Sequence, residues 1–482
     1  MKVAFSRKNL WERSPRLLKD VVGRALGLVP LSILMGRQSR RWRRFVQDSQ
    51  YWSIEQYRHY QFQRLKRILT IAYERTGFYR RHFKQVGFEP GDFKDINDLS
   101  TLPTIDKETV RQNLEAMAAV SLTDLSVDYA TTSGTGGTPL CFYMDSSRHA
   151  VEFGHLTTSW ERVGYRPGDS MAILRGNVIP LARSGMYYEY DPVLRHHRYS
   201  TFHMTNEQME RYVQHMHRVS PNFVHAYPSA AYTLARFMFH ESLSFPPSVK
   251  AVLLESEPDY EFQRDFIQKH FSVRVFSSYG HSEKLVLAAQ CEHSSLYHVW
   301  PTYGYCEILD DQGTNVSIGQ KGEIVGTGFI NEVIPFIRYR TDDYAILAGQ
   351  GCAKCGRNHL LLDSIRGHRT QEFLVTNDRQ SIIAWTALNM HDDTFDGIVR
   401  FQFTQDTPGY AELRMVPTPG PKEYDLVRIR RHLESKLKGR IDVKLVICDE
   451  IPPMKSGKKP IVVQRTPGIN NLLREYQMPM QT

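Results

Sequence analysis

The chain has 482 residues, 41% hydrophobic and 23% charged, which is too long for one ordinary core and too apolar for a disordered polymer. Twelve Lys/Arg against Glu12, Asp20 and Asp48 within residues 1–48 account for the whole net charge of +9, so the rest of the chain balances to zero. A neutral body excludes a general nucleic-acid-binding protein, and six scattered Cys exclude a disulfide framework and point to a reducing, cytoplasmic setting.

In chain order, residues 1–48 are expected to form a basic N-terminal extension, residues 49–365 a large domain and residues 366–482 a small C-terminal domain. Within the extension, Ala25–Gly36 is apolar but short, and Pro30 interrupts it, so it does not span a bilayer. The arginine-rich run Arg37–Arg44 is an odd sequel to a signal peptide. Two readings stand: an interfacial anchor making peripheral membrane contact on anionic lipid, or a helix that packs its apolar face on the body and turns its arginines to water. From Tyr51 to about Val86, Tyr57, Phe62, Leu65, Ile68, Leu69, Ala72 and Tyr73 recur at helical spacing. Asp106-Lys107-Glu108 marks a further helix start.

Segments 170–176, 249–256 and 273–280 are predicted strands, and 230–242 and 261–271 predicted helices. Strands alternating with helices of about ten residues or more predict an α/β domain with a largely parallel sheet. After Phe329 the chain becomes strand- and turn-rich. In the last part, 397–405 and 410–417 read as a hairpin around Pro408-Gly409, 423–439 as an amphipathic helix stopped by Gly439, and 442–450 as a third strand. That is a small α+β unit of ferredoxin-like pattern.

The stretch Thr131–Leu140 (TTSGTGGTPL) concentrates glycines and hydroxyls. Gly134, Gly136 and Gly137 free the backbone for close approach, successive amides form an anion nest, and Ser133, Thr135 and Thr138 add donors. The set suits a polyphosphate, although it has neither the Walker A frame nor the dinucleotide-binding spacing. By itself an ordinary surface turn is an equal reading. Downstream, Tyr279 could stack on a base, Glu283 could hold a hard divalent cation, and an Asp in Tyr339–Asp343 could accept ribose hydroxyls. Lys458, in a Gly-containing turn, could meet developing phosphoryl charge.

In this order and spacing, the segments resemble the motifs of the adenylate-forming superfamily. Ser133–Pro139 resembles its phosphate loop, Tyr279-Gly280-His281-Ser282-Glu283 its Tyr-Gly-x-Thr/Ser-Glu, Tyr339–Asp343 its Tyr-Arg-Thr-Gly-Asp, and Ser456-Gly457-Lys458 its C-terminal Ser-Gly-Lys. Residues 60–83 and 98–110 are more closely similar to the phenylacetate–CoA ligase branch and its CapK-type relatives. The resemblance implies an ATP-dependent ligase that adenylates a carboxylic acid and transfers the acyl group to coenzyme A, or to an amine or sugar acceptor. It implies that Ser133, Gly134, Thr135, Gly136, Gly137, Thr138 and Pro139 wrap the phosphates of ATP. Tyr279, with Gly280 and Ser282, would pack on adenine, Glu283 would hold Mg²⁺, Asp343 would bind ribose and Lys458 would act at the α-phosphate. Arg366 and Arg369 both answer to the basic residue at the domain boundary, because Gly367 is followed by His368. Three departures stand out: Gly136 replaces a hydroxyl residue, Leu140 a basic one, and Asp342 the usual Gly. A second reading is a catalytically weak nucleotide-binding scaffold at the membrane in polysaccharide assembly.

Cys352-Ala-Lys-Cys355-Gly is a knuckle, and Cys291 and His298 lie about sixty residues upstream. Three thiolates and an imidazole satisfy tetrahedral Zn²⁺ without an open position, so the site is read as structural. His293 and His359 are rival ligands, and free thiols in a loop are the plain alternative. Glu257 is either a carboxylate on the nucleotide side or a helix N-terminal acid. Residues 225–232 border the acyl pocket or belong to the core.

Overall fold

The structure is a computed structural model. It describes residues 25–466 apart from 28, 30, 125, 132–139, 178, 180, 183–184, 258, 260, 368–372, 380–381, 389–392, 396, 418–423, 438 and 452–461. Helix α1 (Gly36–Ser49) is followed by α2 (Ile54–Arg75), which opens on a capping box in which Ser53 accepts from the Gln56 amide and the Gln56 side chain accepts from the Ser53 amide. The helical run predicted to Val86 is two helices. Thr76 takes an extended backbone, ends α2, and its hydroxyl caps α3 (Gly77–Gln85) by accepting from the Tyr79 amide at 3.1 Å.

Helix α1 lies against α4 (Arg148–Glu161). Arg43 Nε donates to Glu161 Oε1 at 2.9 Å and Gln47 Nε2 to Glu161 Oε2 at 2.8 Å. A Cβ on Gly154 would stand 3.1 Å from the α1 backbone, so any larger residue would have to push the two helices slightly apart. Val46 faces inward, while Arg37, Arg40, Arg41 and Arg44 are exposed. No helix among the described residues is long and apolar enough to cross a membrane.

β1 (Val127–Thr131) and β2 (Cys141–Asp145) pair antiparallel with Thr131 opposite Cys141. A single large sheet follows. Its parallel half comprises β3 (Met171–Leu174), β5 (His196–Tyr199), β6 (Phe223–Ala226), β7 (Ala251–Leu254) and β8 (Arg274–Gly280), with β4 (Tyr188–Asp191) antiparallel at the edge. Its other half, antiparallel, comprises β9 (Leu287–Ala289), β10 (Tyr297–Val299), β11 (Gly304–Leu309), β12 (Lys321–Gly328), β13 (Tyr339–Gln350) and β14 (Leu360–Gly367). The order is β11-β12-β13-β14-β10-β9-β8-β7-β6-β3-β5-β4. Met171–Leu174, Phe223–Ala226 and Ala251–Leu254 are buried at every position, as expected for strands covered on both faces. Helices α5 (Asn206–Val219), α6 (Pro228–His240) and α7 (Glu261–Phe271) connect them, and Pro228 opens α6 at a position where no N–H is needed.

β8 pairs parallel with β7 on one side and antiparallel with β9 on the other. It is therefore the strand at which the sheet changes character. On the antiparallel half, Arg338 forms a buried bidentate pair with Glu307 (2.9 and 3.1 Å) and donates to the Ser100 carbonyl at 3.0 Å and to the Leu102 carbonyl.

β15 (Phe373–Val375) and β16 (Ile382–Ala384) form a small ribbon. The C-terminal sheet has the order β19-β18-β17-β20, from β17 (Ile398–Thr407), β18 (Tyr410–Pro417), β19 (Asp442–Ile447) and β20 (Val462–Gln464). β17 and β18 are the expected hairpin, turning at Gly409 with φ +75°. Helix α8 (Leu426–Leu437) carries the chain from β18 to a parallel β19. This unit meets the turn after β5 at Phe202, whose carbonyl accepts from Arg440 Nη1 at 3.0 Å and whose ring lies 5.7 Å from Lys436 Nζ.

Candidate active site

Ligands of open α/β sheets bind beyond the carboxyl ends of the parallel strands. Here that edge holds most of the described polar candidates. Tyr279 and Gly280 end β8, and Glu283 follows within one turn. Asp343 comes from β13, and the Tyr279 hydroxyl donates to Asp343 Oδ2 at 2.9 Å. Glu283 is buried; Oε1 accepts from the Tyr339 hydroxyl at 3.2 Å, and Oε2 lies 3.2 Å from His281 Nδ1. Burial works against ionisation of Glu283, but the hydrogen bond and charge of His281 outweigh it and hold the carboxyl at about 2. A buried carboxylate that is ionised at neutral pH has the chemistry of a hard-cation ligand.

The backbone around Asp343 is tightly determined. The Asp343 amide donates to Thr341 Oγ1 at 3.1 Å, and that hydroxyl donates to the Ile324 carbonyl at 2.7 Å. Asp342 stands where the family pattern has glycine and adopts φ +60°, a left-handed conformation that Asp tolerates better than most residues. Its amide donates to Glu323 Oε1 at 3.0 Å, and Glu323 Oε2 accepts from Arg340 Nε at 2.8 Å.

The structure thus brings Tyr279, Glu283 and Asp343 together, with Gly280 and Ser282 between the first two. Arg366 is in β14, its backbone opposite Tyr344. Ser133, Gly134, Thr135, Gly136, Gly137, Thr138, Pro139, Arg369 and Lys458 lie outside the described residues.

One meeting of side chains escaped the sequence reading, which placed only His225, within 225–232, at the acyl pocket or in the core. Arg175 follows β3, His225 lies in β6, and Glu255 follows β7. Arg175 Nη1 donates to Glu255 Oε2 at 3.1 Å and lies 3.0 Å from His225 Nε2, which is 3.3 Å from the same carboxylate oxygen. Arg175 Nη2 donates to Ser256 Oγ at 2.6 Å. Burial opposes the charge on Glu255, yet His225 and the Arg175 guanidinium hold its carboxyl far down, at about 2. Burial in turn keeps His225 below the ordinary histidine range. The available signal was a charged residue directly after an all-apolar strand, in "MAILR" and "AVLLE".

A second cluster lies on the antiparallel half. The ligand atoms of Cys291, His298, Cys352 and Cys355 all fall within 4.8 Å of one another. Cys355 Sγ lies 3.4 Å from His298 Nε2, and His298 Nδ1 lies 3.0 Å from the Leu296 carbonyl. That carbonyl directs the imidazole and leaves Nε2 for a metal. Gly356, at φ +74°, closes the knuckle with its amide on the Cys352 carbonyl at 2.8 Å. His359 Nε2 lies 3.1 Å from the Tyr57 hydroxyl, and neither it nor His293 is in the four-residue group. Three sulfurs and one nitrogen fit a closed tetrahedral zinc site. Buried Arg162 lies nearby with its guanidinium on the Ala289 and Gln290 carbonyls at 3.1 and 2.8 Å.

No family model matches the chain. It is similar to a phenylacetate-coenzyme A ligase of Thermus thermophilus, 27% identical over 327 residues that make up 67% of this chain and 72% of the relative. It is also similar to the protein CapK of Staphylococcus aureus, 19% identical over 405 residues, 83% of this chain and 87% of CapK. Among solved structures, a 2-hydroxyisobutyryl-CoA ligase in complex with 2-HIB-AMP and CoA in the thioesterification state superposes with a TM-score of 0.55 at 20% identity, covering 89% of this chain and 95% of that one. That last likeness is one of fold.

Proposed function

We propose, from the chain's kinship with the phenylacetate–CoA ligase and CapK-like branch of the adenylate-forming enzymes, that it activates a small carboxylic acid with ATP and passes the acyl group to coenzyme A. The observation that carries this reading is the meeting of Tyr279, Asp343 and the ionised Glu283 at the carboxyl end of β8. In the first half-reaction a carboxylate oxygen of the acid attacks the α-phosphorus. The bond to the bridging oxygen breaks, and pyrophosphate leaves with the electron pair. Asp343, oriented by Tyr279, accepts the ribose hydroxyls. Ser133–Pro139 would surround the departing phosphates, and Glu283 would hold a magnesium ion whose charge would offset part of theirs. The Lys458 ammonium stabilises charge that grows at the α-phosphate, and fixed positive charge of this kind acts without reorganisation.

In the second half-reaction the thiol sulfur attacks the acyl carbon, the bond to AMP breaks, and the thiol proton is released. The C-terminal unit, taken as 366–482, turns about Arg366–Glu372 between the two steps. An amine or sugar acceptor and a role in capsule polysaccharide synthesis rest on the CapK likeness alone. Cys291, His298, Cys352 and Cys355 would hold a structural zinc that ties the Cys352–Cys355 loop to β10 and the end of β9.

The test is carboxylate-dependent exchange of pyrophosphate into ATP across aryl, fatty, hydroxy and amino acids, followed by thioester detection with coenzyme A. At least one acid should support exchange, and Lys458→Ala should lower it by about 10²-fold or more. Nucleotide binding without exchange on any acid favours the scaffold reading instead.

A further inference from the structure

We infer that Glu255 is a specificity-determining residue and that the acid activated here carries a hydrogen-bond donor, a hydroxyl or an amino group, in its tail. The inference rests on the ligase reading above and names its substrate class.

Glu255, His225 and Arg175 stand on consecutive strands of the parallel half, in the order β7, β6, β3. All three lie at the carboxyl edge that also carries Tyr279, and β7 is the neighbour of β8. Strands are spaced about 4.8 Å apart, so Glu255 sits one strand away from the nucleotide-side tyrosine. On the ligase reading, an acyl chain running from an adenylate at Tyr279 along the sheet edge toward β7 would come next to Glu255.

What it meets is polar and unfinished. Glu255 Oε2 already has Arg175 Nη1 at 3.1 Å and His225 Nε2 at 3.3 Å. Oε1 is buried and has no hydrogen-bond partner among the described residues. A buried acceptor left unmatched favours any ligand that supplies the missing N–H or O–H, and rejects one of the same shape that does not. The charge count sharpens the requirement. Arg175 Nη1, 3.1 Å away, offsets the Glu255 charge, so the group asks for a donor and not for a net charge. A bare phenyl or alkyl tail would cover the Arg175–Glu255 pair and leave Oε1 unmatched.

The adjoining backbone is held in place for this purpose. Ser256 adopts φ +71° without being glycine, and its hydroxyl accepts from Arg175 Nη2 at 2.6 Å. The Arg175 guanidinium lies 5.5 Å from the centre of the Tyr227 ring, which supports it from below. Neither Arg175 nor Glu255 can turn away without giving up several contacts.

The test is pyrophosphate exchange with matched sets of acids on one carbon skeleton: the parent acid, its hydroxylated form and its amino form. The donor-bearing acid should exceed its parent in kcat/KM by about tenfold or more, chiefly through KM. The hydroxyl and amino arms identify which donor is taken. Glu255→Gln should lower that ratio by about tenfold. Glu255→Asp, which keeps the charge for Arg175 but withdraws the oxygen by one methylene, should lower it as well if the Gln variant does not fold. Parent acids used as well as their donor-bearing forms, or a ratio unchanged in both variants, overturn the inference and leave the ligase reading intact. Exchange with no acid at all removes the ligase reading and this inference with it.

Discussion

Replacing Arg338 with Met isolates the cost of its buried pair with Glu307. Arg338 and Glu307 side chains are each only 4% exposed, and the pair is bidentate. The substitution keeps most of the apolar volume but leaves a carboxylate with no cation and two backbone carbonyls, of Ser100 and Leu102, without a donor. Breaking a buried ion pair from one side costs about 3–5 kcal/mol. At roughly 2–4 °C per kcal/mol for a unit of this size, the large sheet should melt on the order of 10 °C earlier. The double variant Arg338→Met/Glu307→Leu removes both charges and should regain most of that loss. The pH dependence has a definite sign. Burial already raises the Glu307 carboxyl above its ordinary value, with Arg338 pulling it partly back. Without Arg338 the folded pKa rises further above the unfolded one, so stability relative to wild type is best at low pH and falls as pH rises through the folded value. Urea midpoints followed by tryptophan fluorescence at pH 5 and pH 8 measure this directly. A single variant within about 1 kcal/mol of wild type at pH 8, or a double variant no better than the single, would refute the reasoning.

Other expectations concern separate parts of the molecule. Tyr279→Phe removes the hydroxyl that fixes Asp343; a loss of about 1 kcal/mol should raise the KM for ATP several-fold, and an unchanged KM counts against Asp343 as the ribose acceptor. His155 is fully buried between the Val151 carbonyl and Thr302, and burial depresses its pKa to about 4. Its folded value lies below the unfolded one, so its contribution is intact above pH 6.5 and is lost toward pH 4 at up to about 1.4 kcal/mol per pH unit; His155→Gln should flatten that slope in a denaturation series. Metal analysis should find about one zinc per chain, and Cys352→Ser should abolish it and lower the melting temperature; metal-free protein with an unchanged melting temperature removes the zinc site.

Much of the fold was legible because its local rules are strong. Glu261–Phe271 was expected and found as a helix with the same limits, and the hairpin around Pro408-Gly409 follows from turn chemistry. The grouping of Cys291, His298, Cys352 and Cys355 could be anticipated because knuckle spacing is a local signal, and in the sheet β10 lies directly between β14 and β9. The break at Thr76 was missed because apolar spacing continues through it; only the side-chain cap reveals it. The meeting of Arg175, His225 and Glu255 was missed for a different reason. They are far apart in the chain, and only the strand order β7-β6-β3 makes them neighbours, which periodicity cannot supply. The same holds for Arg338 and Glu307, whose partnership depends on the antiparallel half.

The docking of α1 on α4 changes what a shortened chain can report. Cutting after residue 48 would strip Arg43 and Gln47 from Glu161 and uncover the surface at Gly154 against which the α1 backbone packs. Gln50 and Tyr51, just beyond the cut, also hold Arg357 beside the cysteine knuckle. Poor yield or lost activity after such a truncation would therefore describe a breached wall of the globule, and would say nothing about attachment to lipid.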